Sequence, residues 1–220
     1  LTERDYKGKL SLTSRFFRNV DEKVAVNVDV NPTELVFNDT IWQVKPGQVQ
    51  YDGGIIAVRN LQGISGEQSV LIDGIVSKNQ EDVLKVELNE LSLDYIFETL
   101  AIDNVMFGGT ATGKFYASNL LSGAPILETP NLHVENIAYN KCRMGNADIK
   151  SNWDNETKGI NLYANIAQDN GLTSIIEGAI YPTCDSLSIN FDAHRAKIGF
   201  LQPFMQAITS DITGEVSGKA

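Results

Sequence analysis

Hydrophobic and polar residues alternate along much of the chain. Residues 23–30 show this most clearly, and the same alternation recurs in residues 83–88, 159–166 and 186–192. A period of two residues is typical of a β-strand that is buried on one side only. One face of these predicted strands carries the apolar residues Val24, Val26, Val28, Val30, Leu84, Val86, Leu88, Ile160, Leu162, Ile166, Leu187, Ile189 and Phe191.

Weaker alternation predicts further strands between turn-forming residues such as Lys45-Pro46-Gly47 and Asp52-Gly53-Gly54. These segments are 8–17, 34–37, 41–45, 48–59, 67–77, 109–117, 131–140, 143–152 and 173–180. Two stretches break the pattern, because residues 91–102 and 198–208 carry apolar residues at helical spacing. The sequence therefore predicts many strands and two short helices.

The chain contains an internal repeat, with copies at approximately 69–114 and 173–219. Each copy has a strand that ends in glycine, then the strand Leu84/Val86/Leu88 or Leu187/Ile189/Phe191, then a helix and a Gly-x-x-x-Gly-Lys segment. The spacing from Gly74 to Gly109 is 35 residues, and that from Gly178 to Gly214 is 36. We predict that residues 1–220 form one continuous segment built from repeats.

Two short helices give little cover for the apolar face of so many strands. The sheet must therefore curl on itself or hold something apolar, and the predicted fold is all-β, with an extended, curved antiparallel sheet. Two interpretations stay open, a closed sandwich core and an open groove that holds hydrocarbon. Periodicity does not separate them, because both need strands with one apolar and one polar face.

The net charge and the composition of the chain limit the classes of binding partner. The formal net charge is −10, which disfavours binding to nucleic acid and to anionic membrane surfaces. No apolar run approaches the roughly 20 residues of a membrane helix. Cys142 and Cys184 are either two idle thiols or one disulfide. The polar start without Met, and an end just inside a strand, lead us to expect a piece cut from a longer protein.

Candidate catalytic chemistry is weak. The segment Gly108–Lys114 has the glycine and lysine spacing of a phosphate-binding loop, but Phe115 stands where Ser or Thr should bind magnesium. The residues after Lys114 are typical of a strand rather than a helix, so we interpret these glycines as sheet bends. His133 and His194 are not near a cysteine at catalytic or ligand spacing, and carboxylates are scattered. We predict no catalytic residue, no metal and no cofactor.

Several longer segments, taken together, resemble a known family. They are Phe37-Asn-Asp-Thr40 with Trp42, Ile55-Ile-Ala-Val-Arg-Asn60, Val70-Leu-Ile-Asp-Gly74, Asn131-Leu-His-Val-Glu-Asn-Ile137, Gly145-Asn-Ala-Asp148, Ser151-Asn-Trp-Asp154, Phe200-Leu-Gln-Pro-Phe204, Ser210-Asp-Ile-Thr-Gly214 and Val216-Ser-Gly218. The chain resembles the TamB-type translocation and assembly module proteins, in their Bacteroidetes form, over most of residues 20–220. These belong with the AsmA-like, repeating β-groove proteins.

The resemblance implies a taco-like β-groove lined with apolar residues, in a periplasmic protein anchored in the bacterial inner membrane. It implies phospholipid acyl chains as the cargo, in intermembrane transfer for outer-membrane biogenesis. The alternative is a module that assists assembly or secretion of outer-membrane proteins with a β-barrel partner, through regions outside this chain. An enzyme on a β-solenoid and a surface adhesin are two further hypotheses.

Overall fold

The computed structural model describes residues 6–37, 39–95, 107–139, 142–169, 171–183, 186–197 and 215–219. Within these ranges, sixteen strands belong to one antiparallel sheet. They are β1 (Tyr6–Gly8), β2 (Leu12–Arg18), β3 (Val24–Val30), β4 (Thr33–Phe37), β5 (Thr40–Val44), β6 (Gly47–Asp52), β7 (Ile55–Ser65), β8 (Gln68–Val76), β9 (Val83–Ser92), β10 (Phe107–Ser118), β11 (Ile126–Tyr139), β12 (Cys142–Asp154), β13 (Gly159–Ala167), β14 (Thr173–Tyr181), β15 (Ser186–Lys197) and β16 (Glu215–Lys219). The prediction of an all-β chain with an extended antiparallel sheet is confirmed.

Helix is a minor part of the described chain. Residues 93–95 are helical, and the hydroxyl oxygen of Ser92 accepts a hydrogen bond from the backbone N–H of Tyr95 at 3.3 Å, as an N-cap does. The rest of the predicted helix at 91–102, from residue 96 onward, lies outside the described residues. The second predicted helix, at 198–208, lies outside them entirely.

The prediction of one strand over residues 8–17 is wrong. Strand β1 ends at Gly8 and pairs with β4, whereas β2 begins at Leu12 and pairs with β3. The connection between β1 and β2 belongs to neither ladder. Within it, the Lys9 carbonyl accepts a hydrogen bond from the Thr33 hydroxyl at 2.5 Å. Alternation in the sequence continues through this crossing and therefore does not reveal it.

The chain divides into two compact units, Leu1–Glu90 with Lys114–Leu127, and Leu91–Gly113 with Glu128–Ala220. In the first unit, β7, β8 and β9 pair in chain order. The other edge of β7 carries two strands, because Ile55–Arg59 pairs with β6 and Gly63–Ile64 pairs with β5. The sheet of this unit therefore forks at β7 into a branch of β6, β3 and β2 and a branch of β5, β4 and β1.

The strands follow one another in chain order from β10, whose residues up to Gly113 belong to the second unit, to β16. Cα atoms of β12 and β15 approach within 8 Å although β13 and β14 lie between them in the ladder. Three strand spacings in a flat sheet would hold them roughly 14 Å apart. The sheet of the second unit therefore curls.

Two β-bulges keep apolar residues that are three positions apart on the same face. In β7, Asn60 adopts φ +50° and its N–H donates to the Asp73 carboxylate at 3.0 Å, so that Val58 and Leu61 both face the apolar side. In β11, Asn136 adopts φ +53° and its N–H donates to the Asn146 side-chain oxygen at 2.9 Å.

The second bulge places Val134 and Ile137 on one face of the sheet, as the first bulge places Val58 and Leu61 on one face. A regular strand would place residues three apart on opposite faces. Each bulge thus inserts one extra residue into its strand and so returns the next apolar residue to the apolar face.

The strand pairs of the two predicted repeat copies place a glycine close to the backbone of the paired strand. Gly74 of β8 lies opposite Leu84 of β9, and Gly178 of β14 lies opposite Ile189 of β15. Pairing therefore aligns Leu84 with Ile189, two residues beyond the Leu187 chosen from the sequence. Gly113 and Gly218, which the repeat also aligns, both have φ +157°. Treating the copies as one repeated building unit stays a prediction.

The turn between β12 and β13 is held by one carboxylate. Asp154 accepts a hydrogen bond from the backbone N–H of Glu156 at 2.8 Å, and this bond, with those from the Thr157 hydroxyl and N–H, lowers the pKa of Asp154. A carboxylate whose pKa is lower in the folded state stabilises the fold above its unfolded pKa and loses that contribution as the pH falls through its folded pKa.

We expect Asp154→Asn to lose less stability than the wild type between neutral pH and pH ~2, because the asparagine side chain keeps an acceptor oxygen but does not titrate. Urea unfolding at both pH values measures this. Glu156→Gln is the control, because it removes a carboxylate from the same turn without removing the acceptor of these bonds. Equal acid sensitivity in Asp154→Asn and the wild type would contradict the assignment.

Candidate functional site: the apolar sheet faces

Cross-strand partners share a face of a sheet, so the pairing register assembles apolar side chains into rows. In the first unit, one row runs from Val28 through Val49, Val58 and Gly74 to Leu84. The neighbouring rows consist of Phe16, Val26, Tyr51, Ile56 and Val76, of Leu61, Ile72 and Val86, and of Val44, Gly63, Val70 and Leu88. We call these rows the apolar face of the first unit.

The residues of this face are neither fully buried nor fully exposed to solvent. Val26, Val28, Leu84, Val86 and Leu88 are all half-buried. Burial varies along β3, since Val30 is buried whereas the side chain of Val24, at the other end, is 55% exposed. A tightly packed second sheet would bury such residues throughout. The apolar side chains in these rows thus share one surface that is still partly open to solvent.

One aromatic side chain closes part of this surface. The Trp42 ring lies over Gly63, and a Cβ atom built on Gly63 would stand 3.2 Å from the ring and 3.6 Å from Val70. Trp42 is buried, and its backbone pairs with Leu35. The glycine therefore makes room for the indole ring against the sheet.

In the second unit the register again collects apolar residues on one face. Its rows are Leu132, Ile149, Ala164, Ile176 and Phe191; Val134, Ala147, Ile166 and Ser174; Ser151, Leu162, Gly178 and Ile189; and Trp153, Ile160, Ile180 and Leu187. The opposite face carries His133, Asp148, Lys150, Glu177 and Asn190. We call the first set the apolar face of the second unit.

Exposure rises across this face from β13 towards β15. Ile160 is 6% exposed, its partner Ile180 on β14 is 40% exposed, and Ile189 on β15 is 49% exposed. Ile166 is buried and Leu162 is half-buried. Side chains that pack as a core at β12 and β13 thus continue into solvent-exposed apolar side chains at β14 and β15.

All thirteen apolar candidates from the sequence lie in strands, and the register gives the described ones the face that alternation predicts. Leu187 and Phe191 belong to β15 by backbone pairing, but their side chains lie outside the described residues. The sequence pattern did not single out other members of the rows, notably Phe16, Tyr51 and Ile180.

A local signal marks the bulges that align these rows. The segments Val58-Arg-Asn-Leu61 and Val134-Glu-Asn-Ile137 both place asparagine before the second of two apolar residues three apart. Asparagine tolerates positive φ better than most residues. The spacing interrupts strict alternation, which is why a period of two alone does not follow the face through it.

Ion pairs are found on the polar face. In the first unit Glu87 contacts Lys85 and also Lys114, the latter at 3.7 Å. The hydrogen bond between Lys85 and Glu87 raises the pKa of Lys85 and lowers the pKa of Glu87. In the second unit the contact is a hydrogen bond between His133 Nδ1 and Asp148 Oδ1, at 2.8 Å. These pairs are partly exposed to water, where ion pairs stabilise a fold only weakly.

The remaining candidate chemistry finds little structural basis. Residues 108–114 lie inside β10, so the loop-like glycine spacing is part of a strand. In the described part of the chain, no cluster of three or more His, Cys, Asp or Glu side chains could hold a metal ion. Cys142 is a free, half-buried thiol, and Cys184 lies outside the described residues. No helix in the described ranges is long and apolar enough to cross a membrane.

The fold and these faces define the chain as an antiparallel β-sheet protein whose apolar face is partly exposed. Comparison with known protein families, with curated proteins and with solved structures gives no match.

Proposed function

We propose that this chain is a non-enzymatic segment of an envelope-spanning TamB- and AsmA-like protein, and that its apolar faces line a hydrophobic groove for phospholipid acyl chains. The groove would serve intermembrane phospholipid transfer in outer-membrane biogenesis. The chain would act in the periplasm, as part of a longer protein anchored in the bacterial inner membrane. The segments of sequence that resemble this family are one support for the proposal.

The observation that carries the proposal is the exposure of apolar residues on the apolar face of the second unit. Ile180 lies beside the buried Ile160, and Ile189 lies opposite Gly178 on the same face, yet 40% of Ile180 and 49% of Ile189 remain accessible. Neighbouring apolar side chains that stay exposed on one face form the kind of patch that marks a binding surface. An acyl chain laid on them would gain about 0.8 kcal/mol for each buried CH₂ group.

The separation of faces suits a lipid that keeps its headgroup in water. The apolar rows lie on one face. Charged side chains such as Lys85, Glu87, Asp148 and Lys150 lie on the other, together with some apolar residues such as Leu71 and Ile175. A run of apolar side chains offers an acyl chain similar contacts at each position, because dispersion and hydrophobic contacts are not directional. Such a surface can bind an acyl chain without fixing it at one position.

Site-specific photo-crosslinking in the full-length protein tests the proposal. A benzophenone amino acid replaces Ile189, on the apolar face, or the adjacent Ser188, which is also exposed but lies on the opposite face. After irradiation in cells, mass spectrometry of the purified protein should find phospholipid adducts at position 189, at least about tenfold above those at 188. Equal yields at the two positions, or no lipid adduct at 189, would contradict an acyl-chain surface.

A further inference from the structure

Strand β2 is an edge strand with an unusually exposed surface. In the part of the chain that the structure describes, β2 is hydrogen-bonded to β3 alone, and all seven of its residues are exposed. Phe16 is 70% exposed, and Leu12 and Phe17 are also exposed. A regular edge strand with accessible apolar residues is a template for pairing with another strand.

Hydrogen bonds hold this edge at both ends. At the turn to β3, the side-chain oxygen of Asn19 accepts bonds from the N–H groups of Asp21 and Lys23, each at 2.9 Å. The Asn19 side-chain N–H group donates to Asp52 of β6 at 2.5 Å. At the other end, the N–H of Asn31 donates to the Ser11 carbonyl at 2.9 Å. A strand fixed in this way loses little conformational freedom when it pairs again.

The charge of this region is opposite to that of the whole chain. Residues 6–19 contain Lys7, Lys9, Arg15 and Arg18 and no acidic residue, whereas the chain as a whole has a formal net charge of −10. Arg15 and Arg18 are exposed on β2 itself. A binding partner for this edge is therefore expected to be acidic.

Two other occupants fit less well. A second copy paired antiparallel through the centre of its own β2 would place the Arg15 side chains of the two copies opposite each other, and like charges across a ladder are destabilising. A bilayer interior offers no partners for the outward N–H and C=O groups of an edge strand, and each such unsatisfied group is costly there. An acidic strand supplies both backbone partners and opposite charge.

We propose that the β2 edge binds, by strand addition, an extended segment of another protein in which apolar and acidic residues alternate. Apolar residues of the segment pack beside Leu12 and Phe16 on the apolar face, and its acidic residues lie beside Arg15 on the opposite face. Recognition combines backbone hydrogen bonds, which give affinity, with alternate side chains, which give specificity. This interaction does not depend on lipid binding by the apolar faces.

A synthetic ten-residue peptide of alternating valine and glutamate, labelled with fluorescein, is the probe. Fluorescence anisotropy with the 220-residue chain measures its affinity. We expect this peptide to bind at least about tenfold more tightly than a valine–lysine peptide of the same length. A valine–glutamate peptide with N-methylated backbone amides on one edge should also bind about tenfold more weakly, because strand addition needs those N–H groups.

Charge reversal locates the site on the protein. The double variant Arg15→Glu/Arg18→Glu should lose the valine–glutamate peptide and bind the valine–lysine peptide instead, while circular dichroism shows an unchanged sheet. The control Lys78→Glu/Lys150→Glu makes the same change in net charge at exposed positions outside β2, and should leave peptide binding within about twofold.

Three results would overturn the proposal. They are equal loss of binding in the control variant, equal affinity for the N-methylated peptide, and binding of phosphatidylglycerol vesicles by this edge without binding of the valine–glutamate peptide.

Discussion

Replacing Gly74 with alanine is expected to lower the free energy of unfolding by at least about 3 kcal/mol. Gly74 has φ +124°, a conformation that residues with a side chain rarely adopt, and a Cβ atom there would stand 2.2 Å from the carbonyl oxygen of Val83. That oxygen belongs to the backbone of the paired strand β9. Relief of the clash therefore requires the two strands to separate.

Gly66→Ala is the matched control for backbone strain. Gly66 also has a positive φ, at +60°, but a Cβ atom built on it would meet nothing within 4 Å. The expected loss is about 1 kcal/mol, the usual cost of a left-handed conformation for a residue with a side chain.

Gly178→Ala isolates the steric part of the effect. A Cβ atom on Gly178 would stand 2.3 Å from the Ser188 carbonyl oxygen, and its φ is not positive. Urea unfolding of the three variants, monitored by circular dichroism, should place Gly74→Ala and Gly178→Ala well below Gly66→Ala. Similar stability in all three would show that the close strand contact does not matter.

The second large effect concerns the proposed lipid surface. We expect Ile189→Asp, and likewise Val86→Asp, in the full-length protein to impair the envelope phenotype and to reduce copurified phospholipid by about tenfold or more. A charged carboxylate on an apolar surface disfavours contact with hydrocarbon, because ionised groups are costly to dehydrate. Ile189 is the better of the two sites, because its side chain is 49% exposed and the ionised aspartate can stay hydrated without disturbing a packed core.

The substitution must lie at an exposed position of the apolar face and needs a control on the opposite face. Ile166 is only 3% exposed, and a charge there would unfold the sheet, so its loss of function would say nothing about lipid. Ser188→Asp introduces the same charge one residue away, on the opposite face of β15. Native mass spectrometry of the purified proteins measures bound phospholipid, and thermal unfolding confirms the fold. Wild-type lipid content in a folded Ile189→Asp protein would argue against a hydrophobic conduit.

The sequence predicted the strands well because each strand is paired on a sheet with one apolar and one polar face. The prediction of strand limits fails where the chain changes its pairing partner without a change in the apolar pattern. Leu10 and Leu12 alternate with polar residues across the point where β1 gives way to β2, whereas the two separate ladders are defined only by tertiary structure. The fork at β7 is hidden for a similar reason, since one continuous strand of eleven residues pairs with two partners on one edge.

The sequence predicted which side of the sheet the candidate residues occupy, but not how exposed to solvent each of them is. Alternation placed Val24 and Val30 together, and the register agrees, yet one is 55% exposed and the other is 7% exposed. Exposure depends on which strands curl over a residue, and this is set by bulges and by pairing across the chain. The repeat alignment shows the same limit, because the pairing of Gly178 with Ile189 is a property of the ladder and not of the apolar pattern.

The fork makes β7 a shared reference for both branches of its unit. Its first half sets the register of β6, and through β6 that of β3 and β2, while its second half sets that of β5 and β4. A slip of one residue in a ladder turns every side chain of the slipped strand to the other side of the sheet. Gly47, at the branch point, already stands so close that an added Cβ atom would lie 3.1 Å from the Asn60 carbonyl oxygen. Insertions and deletions in residues 45–47 are therefore expected to be tolerated far less than those in the open turn at Gly53 and Gly54, where one hairpin alone would have to adjust.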